Sequence, residues 1–449
     1  MRGRPAWIGG VVKLVVGILG VLVLVVGLMV SIGLHELGHM IPAKRFGVRV
    51  SRYMIGFGPT LWSRTRGETE YGFKAIPLGG YVKIVGMLAP AEAVGATSRP
   101  GVLGQMIQDA RDASAEEILP GEEHRAFYQL STPKKLVVMA GGTLTNLVVA
   151  ALLFGVVMVG FGLPGSTTTV GMTLPCVLPV SAPVDRECTA QDPPTPAALA
   201  DLRVGDVLLS YGGRSIDSFE DFLDAVQEVD GSQIQLVVER AGEQVTLEVS
   251  PIVTERPVWD AAGKAVLGAD GEVVTEPSRY IGFSPTSVRE PQPIGAVVPL
   301  MGEAVWGTLD VMVHLPEHLW DLGVAVFGGS ERDVSVFGLV GMGQVAGEIA
   351  TADGIGIGDR VAEMLVLVAS LNVALFAFNL IPLLPLDGGH VAGALWEGAK
   401  RQVARWRGRP RPAPADMARM MPLANGVFVV LVLMGLFLVV ADIVSPVTG

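Results

Sequence analysis

The stretch LVVGILGVLVLVVGLMVSIGL, residues 14–34, runs directly into HELGH, residues 35–39. Its length suits one crossing of a hydrocarbon core, because a helix rises about 1.5 Å per residue. His35 and His39 lie on one face of that helix at a spacing that suits a single Zn²⁺, and Glu36 between them can act as a general base. Ionisable groups at membrane depth are costly and mark functional sites. The stretch therefore predicts hydrolytic chemistry inside a membrane or at its edge.

Composition identifies the chain as a polytopic membrane protein rather than a soluble enzyme. Hydrophobic residues make up 50% of the 449, charged residues 17%, and the mean hydropathy is +0.49. Apolar runs of membrane-crossing length recur after the first one. We therefore predict an α-helical fold with four transmembrane helices, within residues 8–47, 134–163, 360–387 and 421–443.

The formal net charge of −11 is spread unevenly along the chain. Lys and Arg gather near the membrane ends of 40–135 and 387–420, whereas 163–360 is strongly acidic. By the positive-inside rule the two basic segments face the cytoplasm and the acidic one lies outside. We therefore expect a multi-pass protein of the cell (plasma or inner) membrane whose active site lies toward the cytoplasm. The acidity belongs to an extracytoplasmic domain, so we expect no nucleic-acid partner.

The segments between the spans differ in pattern. Short alternating runs separated by Gly and Pro predict strands lying against the membrane. A segment rich in Ala, Glu and Asp predicts a loop, and an Arg/Pro-rich segment predicts a linker that contacts membrane lipid. In chain order we predict membrane-associated β segments at 48–87, a cytoplasmic loop at 88–133, a β domain at 168–285, an amphipathic surface segment at 286–358, and a cytoplasmic helix and linker at 388–420.

The two cysteines, Cys176 and Cys188, both fall in the acidic extracytoplasmic segment. They lie across the membrane from the His motif and are therefore excluded as its ligands. An even number of cysteines in an oxidising compartment permits a disulfide that closes a short loop. Two free thiols in a loop are the alternative.

The β domain at 168–285 has a recognisable centre, AALADLRVGDVLLSYGGRSIDSFEDFLDAV at residues 197–226. A short helix, a Gly-Asp turn, a β run, a Gly-Gly hairpin turn and an amphipathic helix follow one another there. This order resembles a PDZ domain. The resemblance implies a groove beside the helix 218–229, where an extended peptide or a chain terminus adds as a strand. A small β domain without a ligand is the alternative.

A catalytic zinc normally has three protein ligands and one open position. His124 lies in a polar loop, and His390 follows the third span. His314 and His318 form HLPEH, which matches the inverted motif H-x-x-E-H, but Pro316 interrupts it and the segment is predicted to lie outside. The other histidines are therefore weak candidates for the third ligand.

Asp387, in NLIPLLPLDGGH at residues 379–390, is the stronger candidate. The two prolines cannot continue a helix and the two glycines permit sharp backbone, so the third span should break just before Asp387. At about 1.5 Å per residue, HELGH and Asp387 then reach a similar depth on the cytoplasmic side. We predict a His₂Asp site for one Zn²⁺. Capping of the following helix is the alternative role for Asp387.

Asn146 and Asn379 are polar side chains within apolar spans. Such side chains commonly bridge neighbouring helices. Contact with the substrate or with the active site is the alternative.

Taken together, the motifs resemble the site-2 protease family of intramembrane zinc metalloproteases. The features that carry the resemblance are HELGH, GGYVKI at 79–84, NLIPLLPLDGG and a PDZ-like domain between spans two and three. The bacterial subgroup that cleaves membrane-anchored anti-sigma factors is the nearest in pattern. The resemblance implies that His35, His39 and Asp387 bind zinc and that Glu36 is the catalytic base.

The same resemblance implies how substrate is held. The strands of 48–84, including Gly79, Gly80 and Tyr81, would keep a single-span transmembrane substrate extended, and Asn379 would bind its backbone. Cleavage would follow a first extracytoplasmic cut of an anti-sigma factor or a signal-peptide remnant. In one departure, the family often has Gly-Pro-x-x-Asn in the second span, whereas this chain reads GTLTN at 142–146. The assignment of Asn146 to substrate binding is retained, but not a kink that depends on proline.

Three other functions fit part of the pattern. A PDZ-type membrane receptor or scaffold predicts a broken ligand set, but all four groups are present. A metal transporter needs ionisable residues along a full path, and these spans carry such residues near one end only. A quality-control zincin that cleaves loops of misfolded membrane proteins would take a Glu on a later helix as third ligand, and the LDGG run argues against it.

Overall fold

The computed structural model describes residues 6–97, 100–180, 186, 188–258, 266, 273–328, 336–352 and 355–446. The chain divides into two compact units. The first is built from Met1–Phe161 and Pro293–Gly449, and the second is Gly162–Gln292. The β domain predicted at 168–285 falls within the second unit.

Helices dominate the first unit. α4 continues into a π-helical turn at Val156–Phe161, and α5 and α6 belong to the second unit. In chain order the helices are α1 Ala6–Arg45, α2 Ala91–Val94, α3 Val102–Ala115, α4 Thr132–Gly155, α5 Pro196–Leu199, α6 Phe219–Glu228, α7 Val297–Val313, α8 Leu315–Gly328, α9 Leu339–Thr351, α10 Ile357–Asn379, α11 Asp387–Trp406 and α12 Met421–Val444.

Among the described residues, five helical segments are long and apolar enough to cross a membrane. Four coincide with the predicted spans: Gly10–Arg45, Thr132–Phe161, Ile357–Asn379 and Met417–Val444. The fifth, Ile294–Val313, lies within the segment predicted to rest on the membrane surface, and it is the least hydrophobic of the five. Length and composition qualify it, so the number of spans stays a prediction.

α1, α4 and α10 form the centre of the first unit. α10 runs parallel to α1, since Gly27 of α1 meets Val368 and Ser31 bonds Asn372 at 2.8 Å. α4 runs antiparallel to α1, and Gly38 lies against Gly141 where the two helices cross. Small residues let membrane helices approach closely. The crossing therefore brings α4 against the HELGH turn of α1.

A small mixed sheet packs beside α1. It is made of β1, Val50–Arg66, and β2, Thr69–Ile84, and both strands bend. Residues 52–55 of β1 pair with 80–83 of β2 on one side and with 70–73 on the other. The hydroxyl of Tyr53 donates to the Gly33 carbonyl oxygen at 2.7 Å and ties the sheet to α1. The 80–84 segment thereby becomes an outer strand beside the HELGH turn.

The break predicted between the third span and Asp387 is present. α10 ends at Asn379, and α11 begins at Asp387. Residues 380–386 fold back on the first turn of α11: a Cβ on Gly388 would meet the carbonyl carbon of Ile381 at 2.7 Å, and one on Gly389 the nitrogen of Leu384 at 2.6 Å. Only glycine fits at these two positions, which explains the GG of the LDGG run.

The segment 88–133, predicted to be a loop, instead contains α3. This prediction was wrong because α3 is supported by a contact far away in sequence. Arg111 is 4% exposed and donates to Asp416 at 2.6 Å, just before α12. Because Arg111 and Asp416 are 305 positions apart in the sequence, no local periodicity predicts their contact.

The second unit is a β-rich fold with one amphipathic helix. Its main sheet has the order β10-β3-β4-β6-β7, with β5 paired to β4 and a separate β8–β9 hairpin. Ser218 and Asp221 form a capping box that begins α6. The strands are β3 Leu163–Thr173, β4 Val207–Tyr211, β5 Arg214–Ser215, β6 Ile234–Arg240, β7 Glu243–Val249, β8 Ile252–Pro257, β9 Thr275–Tyr280 and β10 Phe283–Glu290.

The core of the second unit packs α6 on the sheet. Tyr211, Leu208 and Leu236 are fully buried, and Phe222 of α6 meets the Tyr211 ring edge-on. Cys176 and Cys188 are joined by a disulfide that closes a short loop in this unit. The alternative of two free thiols is therefore not realised in the structure.

Candidate metal centre

The three residues expected to bind zinc converge on one point. The Nε2 atoms of His35 and His39 lie 3.3 Å apart. Each of them lies 3.2 Å from Oδ2 of Asp387. Among the described residues, this is the one group of His, Cys, Asp and Glu side chains arranged to hold a metal ion.

The spacing of these atoms fits zinc. Tetrahedral coordination with metal–nitrogen bonds of 2.0–2.1 Å puts neighbouring ligand atoms about 3.3 Å apart. The observed triangle of 3.2–3.3 Å edges matches that value. Two imidazoles and one carboxylate leave a fourth position open, as in catalytic rather than structural zinc sites.

The centre is partly shielded from solvent. The side chain of His39 is 5% exposed, that of His35 13% and that of Asp387 20%. Asp387 is therefore the ligand on the more open side. It is the first residue of α11, and its helix begins without a side-chain cap, so its carboxylate faces the histidines and not the helix end.

Glu36 lies between the metal ligands and the outer strand of the small sheet. Its side chain is largely buried, at 9% exposed. A Cβ on Gly80 would stand 3.4 Å from Cγ of Glu36. The outer strand of 80–84 therefore passes directly beside the candidate base.

The residues expected to bind substrate lie in different places. Gly79 has a positive φ of 86° and backs on the Phe57 ring, which stacks on Tyr81 at 6.3 Å. Asn379 is the half-buried last residue of α10. Asn146 is fully buried, and its amide lies 3.1 Å from Nδ1 of His35. Asn146 thus contacts one of the three candidate metal ligands directly.

The other histidines considered as ligands lie outside the centre. His314 ends α7 and places Nδ1 2.9 Å from its own helix at the Asp310 carbonyl oxygen. His124 is exposed. His390 lies in α11 beside a cavity of about 370 Å³ that Pro385 and Phe428 also line. Among the described residues, the metal-binding group includes none of the three.

Comparison with known proteins decides the family. The sequence profile described as Peptidase family M50 matches residues 23–438. This chain belongs to peptidase family M50, the site-2 proteases.

Relatives cover almost its whole length. It is 33% identical to zinc metalloprotease Rip1 of Mycobacterium tuberculosis over 438 residues, which is 95% of this chain and 98% of the relative. It is 33% identical to Rip1 of Mycolicibacterium smegmatis over 447 residues, with the same coverage. It is 28% identical to metalloprotease MmpA of Caulobacter vibrioides over 401 residues, 86% of this chain and 89% of the relative.

Membership in the M50 family confirms the predicted class of enzyme and its cofactor. The chain is a zinc metalloendopeptidase of the intramembrane type, and its cofactor is Zn²⁺. The apolar helices that carry HELGH and the segment before Asp387 make it a membrane protein.

Sequence reasoning missed three residues that contact the candidate metal centre, all on α4. The carbonyl oxygen of Val138 lies 2.8 Å from Nδ1 of His39. Gly142 lies against the His39 ring, and the hydroxyl of Thr143 donates to Oδ2 of Asp387 at 3.3 Å. The GG at 141–142 hinted at a close helix crossing, but nothing in one sequence tells which helix is crossed.

Proposed function

We propose that this M50 peptidase hydrolyses a peptide bond in the transmembrane segment of single-span membrane proteins. The observation that carries the proposal is the convergence of His35, His39 and Asp387 next to Glu36. The two histidines lie in the apolar helical segment Gly10–Arg45, and Asp387 follows the apolar helix Ile357–Asn379. Anti-sigma factors, or signal-peptide remnants, that have already been cut outside the membrane are the proposed substrates.

The residues have distinct proposed roles. His35, His39 and Asp387 hold zinc through Nε2, Nε2 and Oδ2. Bound zinc supplies a Lewis acid that polarises the scissile carbonyl and acidifies the attacking water. Glu36 takes a proton from that water and passes it to the leaving amine. Its burial beside Gly80 keeps bulk water from competing for the carboxylate.

An α-helical substrate hides its carbonyl groups in hydrogen bonds, so it must unwind before cleavage. Backbone groups freed in a membrane need new partners, because hydrocarbon offers none. The outer strand of 80–84 can supply them by strand addition. Gly79, Gly80 and Tyr81 begin that strand, and Asn379 at the end of α10 is proposed to bind the substrate backbone.

We propose four membrane crossings, with Ile294–Val313 on the extracytoplasmic side. α10 runs parallel to α1 and antiparallel to α4, so the chain must make an even number of crossings between the end of α4 and the start of α10. If Ile294–Val313 crossed the membrane, the chain would need a second crossing before the start of α10. The described helices after it, α8 and α9, have 14 and 13 residues, which is too short for a core of about 30 Å at 1.5 Å per residue.

The second unit is proposed to be an extracytoplasmic, PDZ-like gate that admits substrates whose ectodomain has been removed. A groove of about 380 Å³ lies between α6 and residues 278–283, and Phe219 and Val226 line it. Such a groove can take an extended peptide or a new chain terminus. Lys44 and Arg45 at the C-terminal end of α1, together with the basic residues in the linker after α11, support a cytoplasmic active site and contact with anionic lipid.

The test is reconstitution of the full chain in detergent with a single-span reporter. Wild type is expected to cut inside the reporter span, Glu36→Gln to keep zinc but lose cleavage, and Asp387→Asn to lose zinc. Undiminished cleavage by Glu36→Gln overturns the mechanism. Full zinc stoichiometry in Asp387→Asn overturns the ligand set. A reporter with an intact ectodomain, cut as fast as a trimmed one, overturns the gate.

Orientation has its own test. Arg407→Cys in the linker and Asp217→Cys in the second unit are labelled in whole cells with a membrane-impermeant thiol reagent. Asp217→Cys should react from outside and Arg407→Cys only after lysis. The reverse pattern overturns the proposed sidedness.

A further inference from the structure

α4 contributes no metal ligand, yet it contacts all three residues of the candidate centre. Val138 meets His39, Thr143 meets Asp387 and Asn146 meets His35. Val138 and Asn146 lie on one face of the helix, with Gly142 midway between them, because these residues are four apart. Thr143 lies beside them on that face, three residues before Asn146. Val138, Thr143 and Asn146 are 0%, 4% and 0% exposed, so the contacts are sealed from water.

The contact with His39 depends on a missing side chain. A Cβ on Gly142 would collide with the His39 ring, so only glycine lets the imidazole lie flat against α4. In that position Nδ1 of His39 lies 2.8 Å from the Val138 carbonyl oxygen and donates to it. A donating Nδ1–H leaves Nε2 without a proton and directed at the centre, as a metal ligand requires.

In the contact with His35, Nδ1 must also be the hydrogen-bond donor. For His35 to offer Nε2 to a metal, its Nδ1 must carry the proton and needs an acceptor. Nδ2 of Asn146 lies 3.1 Å from that Nδ1, while Oδ1 is buried with no partner among the described residues. The two ends of an amide have nearly the same shape. Rotating it by 180° places Oδ1 at Nδ1 of His35 and gives that nitrogen its acceptor.

Thr143 contacts Asp387, the third proposed zinc ligand. Its hydroxyl donates to Oδ2 of Asp387 at 3.3 Å, and Oδ2 is the oxygen that faces both histidines. A donor at this oxygen fixes the rotation of the carboxylate and offsets part of its charge. A proline at this position would have no hydroxyl to donate, so the GTLTN departure brings a contact of its own.

We propose that α4 sets the tautomer and orientation of all three zinc ligands, with Asn146 and Thr143 as positioning residues. Asn146 acts as a hydrogen-bond acceptor for His35 and not as a group that binds substrate. The proposal rests on the proposed function, since it requires His35, His39 and Asp387 to hold zinc.

The test measures zinc affinity of the purified full-length protein by competition with a chromogenic chelator. Loss of a partner to a metal ligand typically weakens metal affinity about 10–100-fold. We expect Asn146→Leu and Thr143→Val to raise the zinc Kd by about that factor. Thr308→Val in α7 is the matched control, because the Thr308 hydroxyl bonds the Ala304 carbonyl oxygen of its own helix at 2.7 Å. It should keep the wild-type Kd.

Asn146→Asp tests whether residue 146 accepts or donates the hydrogen bond with His35. A carboxylate can only accept from Nδ1 of His35, so this variant should keep zinc affinity near the wild-type value while Asn146→Leu loses it. Co²⁺ in place of zinc should give the wild-type visible spectrum in Asn146→Asp and an altered one in Asn146→Leu. Equal weakening of zinc binding in both variants overturns the acceptor role.

Two further measurements keep this proposal separate from the proposed function. Unfolding of the zinc-free variants reports on purely structural damage, and a loss of stability that accounts for the loss of zinc overturns the positioning role. Wild-type Kd values in Asn146→Leu and Thr143→Val overturn it as well, even if Glu36→Gln is inactive as expected. Absence of zinc binding in the wild type overturns the proposed function itself.

Discussion

Gly38 of α1 and Gly141 of α4 meet backbone to backbone: a Cβ on Gly38 would lie 2.5 Å from the carbonyl oxygen of Gly141. Gly38 is also the G of HELGH, between the two histidines. The residue that lets the helices touch therefore lies inside the motif proposed to bind the metal. Close approach of α1 and α4 is what puts His39 within reach of Val138.

Gly141→Ala should weaken both the fold and zinc binding. A methyl group forced into this crossing pushes α4 away from α1, and overpacking of this kind typically costs about 1–3 kcal/mol. Thermal unfolding in detergent and zinc content after dialysis measure the two effects. Gly435→Ala in α12 is the control, because among the described residues no atom beyond the adjoining backbone of α12 lies within 4 Å of its Cβ position. Equal behaviour of the two variants would contradict the close crossing.

Glu397→Gln should destabilise the first unit strongly. Glu397 of α11 is 1% exposed and accepts from buried Lys135 of α4 at 2.9 and 3.0 Å. Neutralising it leaves the lysine charge buried without its partner, at a cost of about 3–5 kcal/mol. Urea unfolding in detergent measures the loss.

Two comparisons sharpen that experiment. Adding Lys135→Met to Glu397→Met should recover part of the stability, since no unpaired charge then remains at Lys135. Glu70→Gln breaks a more exposed pair with Arg52 and should change stability by less than about 1 kcal/mol. A loss as small for Glu397→Gln would show that the buried pair contributes little.

The second unit should lose stability in acid through Asp206. Burial acts to raise the pKa of Asp206, but hydrogen bonds from the Arg240 guanidinium and the Arg203 N–H outweigh it and hold the pKa below its usual value. Stability from such a group is present above the unfolded pKa of about 3.9 and is lost as pH falls from there toward the folded pKa. Asp206→Asn removes that contribution at neutral pH.

Hydrogen exchange of the β4 amides in the full-length protein measures this effect, with samples equilibrated at each pH and pulse-labelled at one pH. Wild type should lose protection as pH falls below about 4, whereas Asp206→Asn should be less protected at pH 7 and change less below pH 4. Exposed Asp217→Asn serves as the control. A wild-type pH profile in Asp206→Asn would refute the role of this carboxylate.

Thiol titration should find no free thiol in the denatured, unreduced protein and two after reduction, because Cys176 and Cys188 are paired. Cys176→Ser should destabilise the second unit by about 3 kcal/mol, the value typical of a loop of this size. Cys176→Ser/Cys188→Ser should match the single variant within about 0.5 kcal/mol. Two reactive thiols in untreated protein would exclude the bridge.

The sequence predicted the centre well because its parts are local patterns. HELGH carries its own helical spacing, and Pro382, Pro385 and the GG after Asp387 mark the break that turns a carboxylate back toward it. The same local motifs predicted the family, the enzyme class and the cofactor, and the comparisons confirm all three.

The features that could not be predicted from the sequence depend on which helices pack against each other. The roles of Val138, Gly142 and Thr143 follow from the crossing of α1 and α4, and a single sequence does not contain that register. α3 was missed because Arg111 finds its partner 305 positions away. Asn146 could be recognised as a polar residue in an apolar span, but its contact with His35 required the antiparallel direction of α4.

The contact between His39 and Asp387 joins positions 348 residues apart. During synthesis, the N-terminal half of the ligand set therefore enters the membrane long before its carboxylate has been made. Until Asp387 and the first turn of α11 emerge, the chain lacks one corner of its metal triangle. We therefore expect a ribosome-bound fragment to lack peptidase activity until the third span lies beside the first.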